Sequence, residues 1–512
     1  MAGRDELFKQ ARSFARPKAI ETDAAAARRI AVIDVGSNSV RLVVFDGIAR
    51  SPAYFFNEKV LCGLGRGLAS TGRLDPGGRA RALATLRRFA SLAERMDVKA
   101  LEAVATAAVR EAADGADFVA EVRRETGLEV RVASGDDEAR LSAQGVLLGW
   151  PDADGLVVDM GGASMELARV GAGRVGQRLT TPLGPLPLRD RGLTGDALKN
   201  AIDGHLREAR QRLPGPVPDL YLVGGSWRSL GRIHMARAGY PLAVLHEYRM
   251  EPGALRAEAQ WMARQTPDLL DSIADISTSR ADVLPLAATV LDRLIAVLQP
   301  ERVAISGYGL REGVVWEHLP SSIRAQDPLL ESCRFLEARG ARFPGFGGEL
   351  FAWLRPLLAG FDAEALRLAE AACLLHDVNW RTHPDYRPDM GFETMLRASI
   401  AGIDHAGRIF IGLALYHRYK SSRGGLPKAA ALGLLEAGRQ RQAERLGRAM
   451  RLGAMLSGSA KGGLEGAVLR VEGRELVLSL GLELRELAGE VVEKRLHSLA
   501  RVMELAPRFR VA

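Results

Sequence analysis

Two segments of the chain share one pattern: an apolar run, a short turn of glycine and other small residues, and a second apolar run. They occupy residues 29–45 and 155–167. The first turn consists of Gly36, Ser37, Asn38 and Ser39, and the second of Gly161, Gly162, Ala163 and Ser164. Apolar runs that flank such turns predict β-hairpins. Aligning Asp34 with Asp159 superposes the two segments without a gap, so we expect two domains of one fold.

The apolar pattern changes after about residue 313. Residues 327–451 carry apolar side chains every three to four positions, which predicts amphipathic helices. Residues 467–480 predict two short strands, and a further helix follows them. We therefore expect an α/β protein with the following parts: a leader at 1–29, α/β domains at 30–148 and 149–320, a helical domain at 321–455, and a small α/β appendage at 456–512.

The composition is that of a globular protein of several domains. Of its 512 residues, 47% are apolar and 26% are charged. No apolar run approaches the roughly 20 residues that a membrane-spanning helix needs, so we expect no membrane role. The N-terminal residues lack the apolar stretch of a secretory signal. Because Cys62, Cys333 and Cys373 are widely scattered, they predict no disulfide framework or metal motif, and we expect a cytoplasmic location.

The net charge of +8 favours an acidic partner, since a positive potential concentrates polyanions near the surface. Nucleic acid, phospholipid and polyphosphate would all satisfy this requirement. The charge alone does not choose among them.

The two turns have the chemistry of a phosphate site. Glycines allow the main chain to approach an anion closely, and consecutive amide groups form a concave nest for it. The aspartates that precede the turns, Asp34 and Asp159, suit a hard cation such as Mg²⁺. One such turn would be weak evidence, but two in register favour a functional site.

The paired turns resemble the phosphate loops of the actin, sugar-kinase and Hsp70 superfamily. The first is similar to that of the exopolyphosphatase and guanosine pentaphosphate phosphohydrolase family. This resemblance implies two tandem ribonuclease H-like (actin-like ATPase) domains with a cleft between them. It also implies a homodimer, which no residue demonstrates.

Two segments between the turns extend the resemblance. Residues 104–112 resemble the family's Ala-Thr-x-Ala-x-Arg stretch. From spacing alone, Arg110 would be interpreted as an exposed arginine on a helix. The resemblance reverses that interpretation and implies that Arg110 is a phosphate ligand. In residues 134–141, Ser134 and Asp137 predict a capping box that opens a helix. Glu138 corresponds to the carboxylate regarded as catalytic in the family.

The resemblance thus implies a complete hydrolytic site. Glu138 would orient the attacking water and accept its proton. Mg²⁺ or another divalent cation would be organised by Asp159 and Glu166, with Asp34 as a further ligand. Both turns and Arg110 would hold phosphate. The chain departs from the family at Ala163, where a third glycine is usual, and at Asp137, where a glutamate is usual.

Two later segments also match. Residues 305–313 contain the family's Gly-Leu-Arg-Glu-Gly signature, for which we expect a structural role near the cleft. Residues 220–226 predict a buried strand that ends in a Gly-Gly turn, which by itself is a weak signal.

Within the predicted helical domain, His376 and Asp377 resemble the His-Asp pair of metal-dependent HD phosphohydrolases. That class also needs an upstream histidine on a neighbouring helix, and the sequence has none between His318 and His376. We therefore expect a degenerate, metal-free HD-like domain.

A run of arginines follows in the same domain: Arg439, Arg441, Arg445, Arg448 and Arg451. By itself this run predicts a solvated helix face. If the substrate is a polymeric anion, it is a candidate guide for the distal part of that chain.

The leading hypothesis is a Mg²⁺-dependent exopolyphosphatase that releases terminal orthophosphate from inorganic polyphosphate. The alternative within the fold is removal of the 5′ phosphate of guanosine pentaphosphate (pppGpp). A phosphotransferase, and a phosphate- or nucleotide-binding sensor or scaffold that does not hydrolyse its ligand, remain open. We expect no specific nucleic-acid partner.

Overall fold

The computed structural model describes residues 29–47, 49–274, 281–422, 424 and 429–511. Most of the leader predicted at 1–29 therefore lies outside the described residues. The chain divides into two compact units, one containing residues up to 240 and 245–326, and the other residues 241–244 and 327 onward.

The first sheet of the first unit has five strands in the order β3-β2-β1-β4-β5. The strands are β1 (Ile30–Val35), β2 (Ser39–Phe45), β3 (Tyr54–Leu61), β4 (Ala100–Ala105) and β5 (Val130–Val132). Pairing is antiparallel among β1, β2 and β3, and parallel among β1, β4 and β5. The accompanying helices are α1 (Leu68–Thr71), α2 (Pro76–Arg95), α3 (Ala107–Glu111), α4 (Gly115–Thr126) and α5 (Gly135–Gly149).

The second sheet repeats this order and adds an edge strand, giving β10-β11-β9-β6-β7-β8. The strands are β6 (Gly155–Met160), β7 (Met165–Gly171), β8 (Arg174–Thr181), β9 (Asp219–Val223), β10 (Tyr248–Met250) and β11 (Arg302–Ile305). The helices are α6 (Pro185–Asp190), α7 (Gly195–Arg212), α8 (Gly225–Arg237), α9 (Pro252–Met262), α10 (Pro267–Ala274), α11 (Leu284–Leu298), α12 (Leu310–His318) and α13 (Ser321–Arg324).

The predicted duplication is confirmed at the level of single hydrogen bonds. The N–H of Gly36 donates to the carbonyl of Ser39 at 3.0 Å, and the N–H of Gly161 donates to the carbonyl of Ser164 at 3.0 Å. Each bond closes the tight turn of one hairpin, β1–β2 or β6–β7. The two sheets therefore present the same turn at the same end of their central strand.

The central strands are buried because their residues are almost all apolar. On one face of β1, Ala31, Ile33 and Val35 belong to a core that includes Phe89 of α2 and Phe118 of α4. The opposite face of β1 meets α12. Because both faces of β1 are covered, the first turn, which follows this strand, has a fixed position in the cleft.

Helices α5 and α12 pack backbone against backbone. A Cβ atom added to Gly145 of α5 would lie 2.1 Å from the carbonyl oxygen of Gly309, and one added to Gly313 of α12 would lie 1.8 Å from that of Leu141. No larger side chain fits at either crossing point. Helix α5 follows β5 of the first sheet and packs against β7 and β8 of the second, whereas α12 follows β11 of the second sheet and meets β1 of the first. The contact between the two helices therefore joins the two domains.

The second unit is mainly helical, as the sequence predicts. Its helices are α14 (Pro328–Gly340), α15 (Phe346–Leu354), α16 (Ala363–Leu374), α17 (Arg387–Arg397), α18 (His405–Tyr419), α19 (Ala437–Ser457) and α20 (Glu490–Met503). A small sheet contains the two predicted strands, β12 (Ala467–Glu472) and β13 (Glu475–Leu480), and also β14 (Ala506–Val511), which pairs parallel to β13 and was not predicted. Among all the described helices, none is long and apolar enough to cross a membrane.

The helix contact generates a stability prediction. We expect Gly313→Ala to lower the free energy of unfolding by about 1–3 kcal/mol or more, because the added methyl group overlaps backbone atoms of α5. Thermal unfolding followed by circular dichroism measures the effect.

Gly204→Ala on α7 is the matched control, since a Cβ there would meet no atom within 4 Å. That change should stabilise the helix by about 0.5–1 kcal/mol. An unchanged melting temperature for Gly313→Ala would contradict the assigned packing.

Candidate functional site

The two turns face each other across the cleft of the first unit. A Cβ atom added to Gly162 would lie 3.7 Å from the Cβ atom of Ser37. The first turn is held from behind, because the N–H of Gly65 donates to the carbonyl of Ser37 at 2.8 Å and that of Gly63 to the carbonyl of Asn38 at 3.0 Å. Two loops of the predicted phosphate-binding type therefore border one narrow space.

Ala163, the departure from the expected glycine, causes no backbone strain. Its φ is not positive, in contrast to that of Gly224 at 118°. A methyl group is therefore compatible with the backbone conformation at this position of the second turn.

Three of the predicted site carboxylates lie on the central hairpins. Asp34 and Asp159 precede the two turns, and Glu166 is the cross-strand partner of Asp159 on β7. The equivalent partner of Asp34 on β2 is Arg41. The duplicated hairpins thus carry side chains of opposite charge at equivalent positions, so only the second offers a pair of carboxylates.

These carboxylates resist ionisation. Burial raises the pKa of Asp34 and of Asp159, although both retain some solvent exposure. Burial and the charge of Glu138 raise the pKa of Glu166 well above its ordinary value. Grouped acids with raised pKa values are typical of sites that receive a cation or catalyse a reaction.

Glu138 lies in the first turn of α5 and is 8% exposed. The predicted capping box starts the helix: the N–H of Asp137 donates to Ser134 Oγ at 3.1 Å, and the N–H of Ser134 donates to Asp137 Oδ2 at 3.2 Å. Aspartate therefore replaces the family's usual glutamate without loss of the cap. The side chain of Glu138 therefore projects from a helix whose N-terminus is held in place by the capping box.

Arg110 reaches the same place from α3. Its Nη1 donates to Glu138 Oε1 and, at 2.8 Å, to the carbonyl of Ala133. Burial raises the pKa of Glu138 to about 7 despite this pairing, and the charges of Asp159 and Asp34 add to the effect. A group with a pKa near neutral pH can accept a proton from water at that pH.

The donor set fits a hard divalent cation. Glu166 is 3% exposed, and its Oε1 is buried without a hydrogen-bond partner among the described residues. No group of three or more such side chains converges on one point in the described part of the chain. Mg²⁺ is commonly held by one or two carboxylates together with water and phosphate oxygens, so Asp159 and Glu166 are the pair that would hold it.

Two arginines that the sequence analysis did not select belong to the same cleft. Although burial acts against its charge, the carboxylates of Glu312 and Asp34 raise the pKa of Arg311. Burial, together with Arg311 and Arg41, lowers the pKa of Arg228 to about 10. Arg311 lies within the Gly-Leu-Arg-Glu-Gly signature, which was a usable signal. Arg228 lies three positions after the Gly-Gly turn, and that turn was a much weaker signal.

Other residues of the signature have the expected structural role. Glu312 accepts hydrogen bonds from the N–H of Gly309 at 2.8 Å and from the hydroxyl of Tyr54 at 2.9 Å. The signature therefore caps α12 through Glu312 and supplies a cleft cation through Arg311.

The His-Asp pair of the second unit has a different environment. Arg342 donates to both carboxylate oxygens of Asp377, at 2.8 and 2.7 Å. His376 donates from Nδ1 to the carbonyl of Cys373 at 2.8 Å, and burial together with the charge of Arg418 lowers the pKa of His376 to about 4. Because two arginines surround the pair, this donor set does not fit a metal ion.

The arginine run of α19 does not form one free surface. Arg439 donates to Asp362, and Arg448 donates to Glu444 and to Ser498. Arg441 is exposed, and burial lowers the pKa of Arg445. A guiding role for these residues stays a prediction.

Comparison with known proteins places both parts of the chain in known families. Residues 26–322 match the Ppx/GppA phosphatase family, and residues 335–507 match the family described as exopolyphosphatase, C-terminal. Exopolyphosphatase 1 of Mycobacterium leprae is 30% identical over 308 residues, which cover 57% of this chain and 90% of that protein.

Solved structures share the fold of the first unit. An exopolyphosphatase from Cytophaga hutchinsonii superposes with a TM-score of 0.52 at 24% identity, over 56% of this chain and 97% of that one. The Ppx/GppA family member of Aquifex aeolicus superposes with a TM-score of 0.50 at 23% identity, over 57% of this chain and 97% of that one. More than half of the chain is thus accounted for by one family model, and the protein is a hydrolase of phosphoric anhydrides that belongs to the Ppx/GppA phosphatase family.

Proposed function

We propose that this protein is an exopolyphosphatase that hydrolyses the terminal phosphate of inorganic polyphosphate. The observation that carries the proposal is the position of Glu138, buried beside Arg110 and within electrostatic range of Asp34 and Asp159. The phosphate loops alone would serve a kinase, a chaperone or a hydrolase. Hydrolysis requires a group that orients water and accepts its proton, and we assign that role to Glu138.

The proposed reaction assigns one task to each group. A water oxygen attacks the terminal phosphorus while its proton passes to Glu138, and the bond to the oxygen of the shortened chain breaks. The two turns hold the phosphate oxygens through backbone N–H groups, and Arg110 adds a cationic donor. Mg²⁺, held by Asp159 and Glu166 with Asp34 nearby, would neutralise charge on the phosphate oxygens.

The arginines of the cleft support a substrate with more than one phosphate. Arg41, Arg228 and Arg311 lie close enough to one another that their charges lower the pKa values of Arg41 and Arg228, in addition to the effect of burial. A second and third phosphate group would relieve that repulsion. The family also includes a GppA branch, and pppGpp likewise ends in a condensed phosphate chain.

A direct assay tests the proposal. The protein is incubated with Mg²⁺ and either long-chain polyphosphate or pppGpp, and released orthophosphate is measured over time. We expect release from polyphosphate at the higher kcat/KM, and release that stops when Mg²⁺ is chelated. Hydrolysis of pppGpp alone would assign the chain to the alternative activity, and no release from either substrate would favour a binding protein.

Substitution of Glu138 tests its role as the proton acceptor. We expect Glu138→Gln to lower kcat by about 10²–10⁴-fold, because the amide cannot accept a proton, while polyphosphate still binds. In the unsubstituted protein, kcat/KM should fall as the pH is lowered through about 7, since Glu138 becomes protonated over that range.

The matched control for this substitution is Glu129→Gln, at an exposed glutamate that pairs with Arg123. It should leave kcat unchanged. Near-normal turnover by Glu138→Gln would remove Glu138 from the mechanism.

A third substitution tests whether the His-Asp pair contributes. We expect His376→Ala to retain nearly full hydrolysis, because His376 is buried in the second unit and bonds to the backbone of its own helix end. Steady-state kinetics are compared with those of His383→Ala, at an exposed histidine. A large loss of kcat in His376→Ala, with an unchanged melting temperature, would show a second functional centre.

A further inference from the structure

One buried hydroxyl group in the cleft has no role in the reaction as described above. Ser142 lies on α5 one helical turn after Glu138 and is 1% exposed. Its Oγ donates a hydrogen bond to Oδ2 of Asp159, which is on β6 of the other domain. Residues four apart on a helix share a face, so Glu138 and Ser142 both point from α5 towards the carboxylates.

The surroundings of Asp159 give this bond a specific consequence. Oδ2 accepts the hydrogen bond from Ser142, and Oδ1 lies on the side of Gly224, where an added Cβ would lie 3.1 Å from that oxygen and 2.5 Å from the carbonyl oxygen of Met160. A side chain at position 224 would therefore crowd both Oδ1 and the backbone of β6. Ser142 therefore restricts the rotation of the carboxylate and leaves its other oxygen for a ligand.

Packing alone does not explain a serine here. Its neighbours on α5 include Ala139, Ala143 and Val146, all of them buried. A buried hydroxyl without a partner costs free energy, so alanine would be the better choice if the position only filled space. The hydrogen bond to the charged carboxylate of Asp159 is what favours serine over alanine at position 142.

We propose that Ser142 is a positioning residue that fixes the Asp159 carboxylate in register with Glu138. The proposal rests on the proposed function, in which Asp159 helps to hold a divalent cation and Glu138 accepts a proton. Helix α5 then sets the separation between Glu138, the proton acceptor, and Asp159, the cation ligand. Because Gly145 and Gly313 lock α5 against α12, that separation does not depend on flexible loops.

The test compares Ser142→Ala with Ser229→Ala. Ser229 is a buried helix serine of the same unit whose hydroxyl donates to the carbonyl of Gly225, so it controls for the loss of a buried hydroxyl group. Mn²⁺ serves as a paramagnetic probe of cation binding, and its Kd is measured by electron paramagnetic resonance without substrate. The kcat and KM for hydrolysis of polyphosphate are then measured.

We expect Ser142→Ala to raise the Kd for Mn²⁺ about tenfold. It should also lower kcat about ten- to a hundredfold with little change in KM. Both effects have the size expected for the loss of a hydrogen bond to a charged group. Ser142→Thr, which keeps the hydroxyl group, should recover most of the Mn²⁺ affinity, and Ser229→Ala should match the unsubstituted protein in all three measurements.

The outcomes separate this proposal from the proposed function. If the unsubstituted protein hydrolyses neither substrate, the proposed function fails, while the Mn²⁺ titration still tests the link between Ser142 and Asp159. If hydrolysis is present but Ser142→Ala and Ser229→Ala have the same Kd for Mn²⁺ and the same kcat, Ser142 only fills space. An absence of measurable Mn²⁺ binding to the unsubstituted protein would also overturn the positioning role.

Discussion

The close contact between α5 and α12 is the constraint on which the site depends. Gly145 and Gly313 let the two helices meet backbone to backbone. Helix α5 starts in the first domain, where a capping box orients Glu138 towards the cleft. Helix α12 starts in the second domain, beside Asp159. Without this contact the duplicated hairpins would be two separate phosphate loops with no fixed separation between them.

The cleft combines charges that are unfavourable without a ligand. Buried carboxylates with raised pKa values lie beside arginines that repel one another. In a folded protein such an arrangement persists only where surrounding structure holds it, and the cation and phosphate chain of the proposed function would relieve it. The duplication supplies the scaffold, and the difference between Arg41 and Glu166 at equivalent positions gives the two hairpins different partners.

In the second unit, the carboxylate of the His-Asp pair already has a cationic partner. Arg342 bonds to both oxygens of Asp377. The pairing satisfies a buried carboxylate that would be costly if left alone. On α19, Arg439 and Arg448 likewise have partners within the unit, so a basic run in the sequence overstates the charge available to a ligand.

The sequence by itself determined the features that depend on local pattern: the two hairpins and their turns, the capping box at Ser134, the change to helices near residue 327, and, through family resemblance, the choice of Glu138 and Arg110. The tertiary structure alone decided the features that join distant segments, namely the bond from Ser142 to Asp159, the place of Arg228 in the cleft, and the parallel pairing of β14. The reason is physical. Periodicity and caps arise from neighbouring residues, whereas a hydrogen bond between α5 and β6 or a cluster of buried charges exists only after the chain has packed.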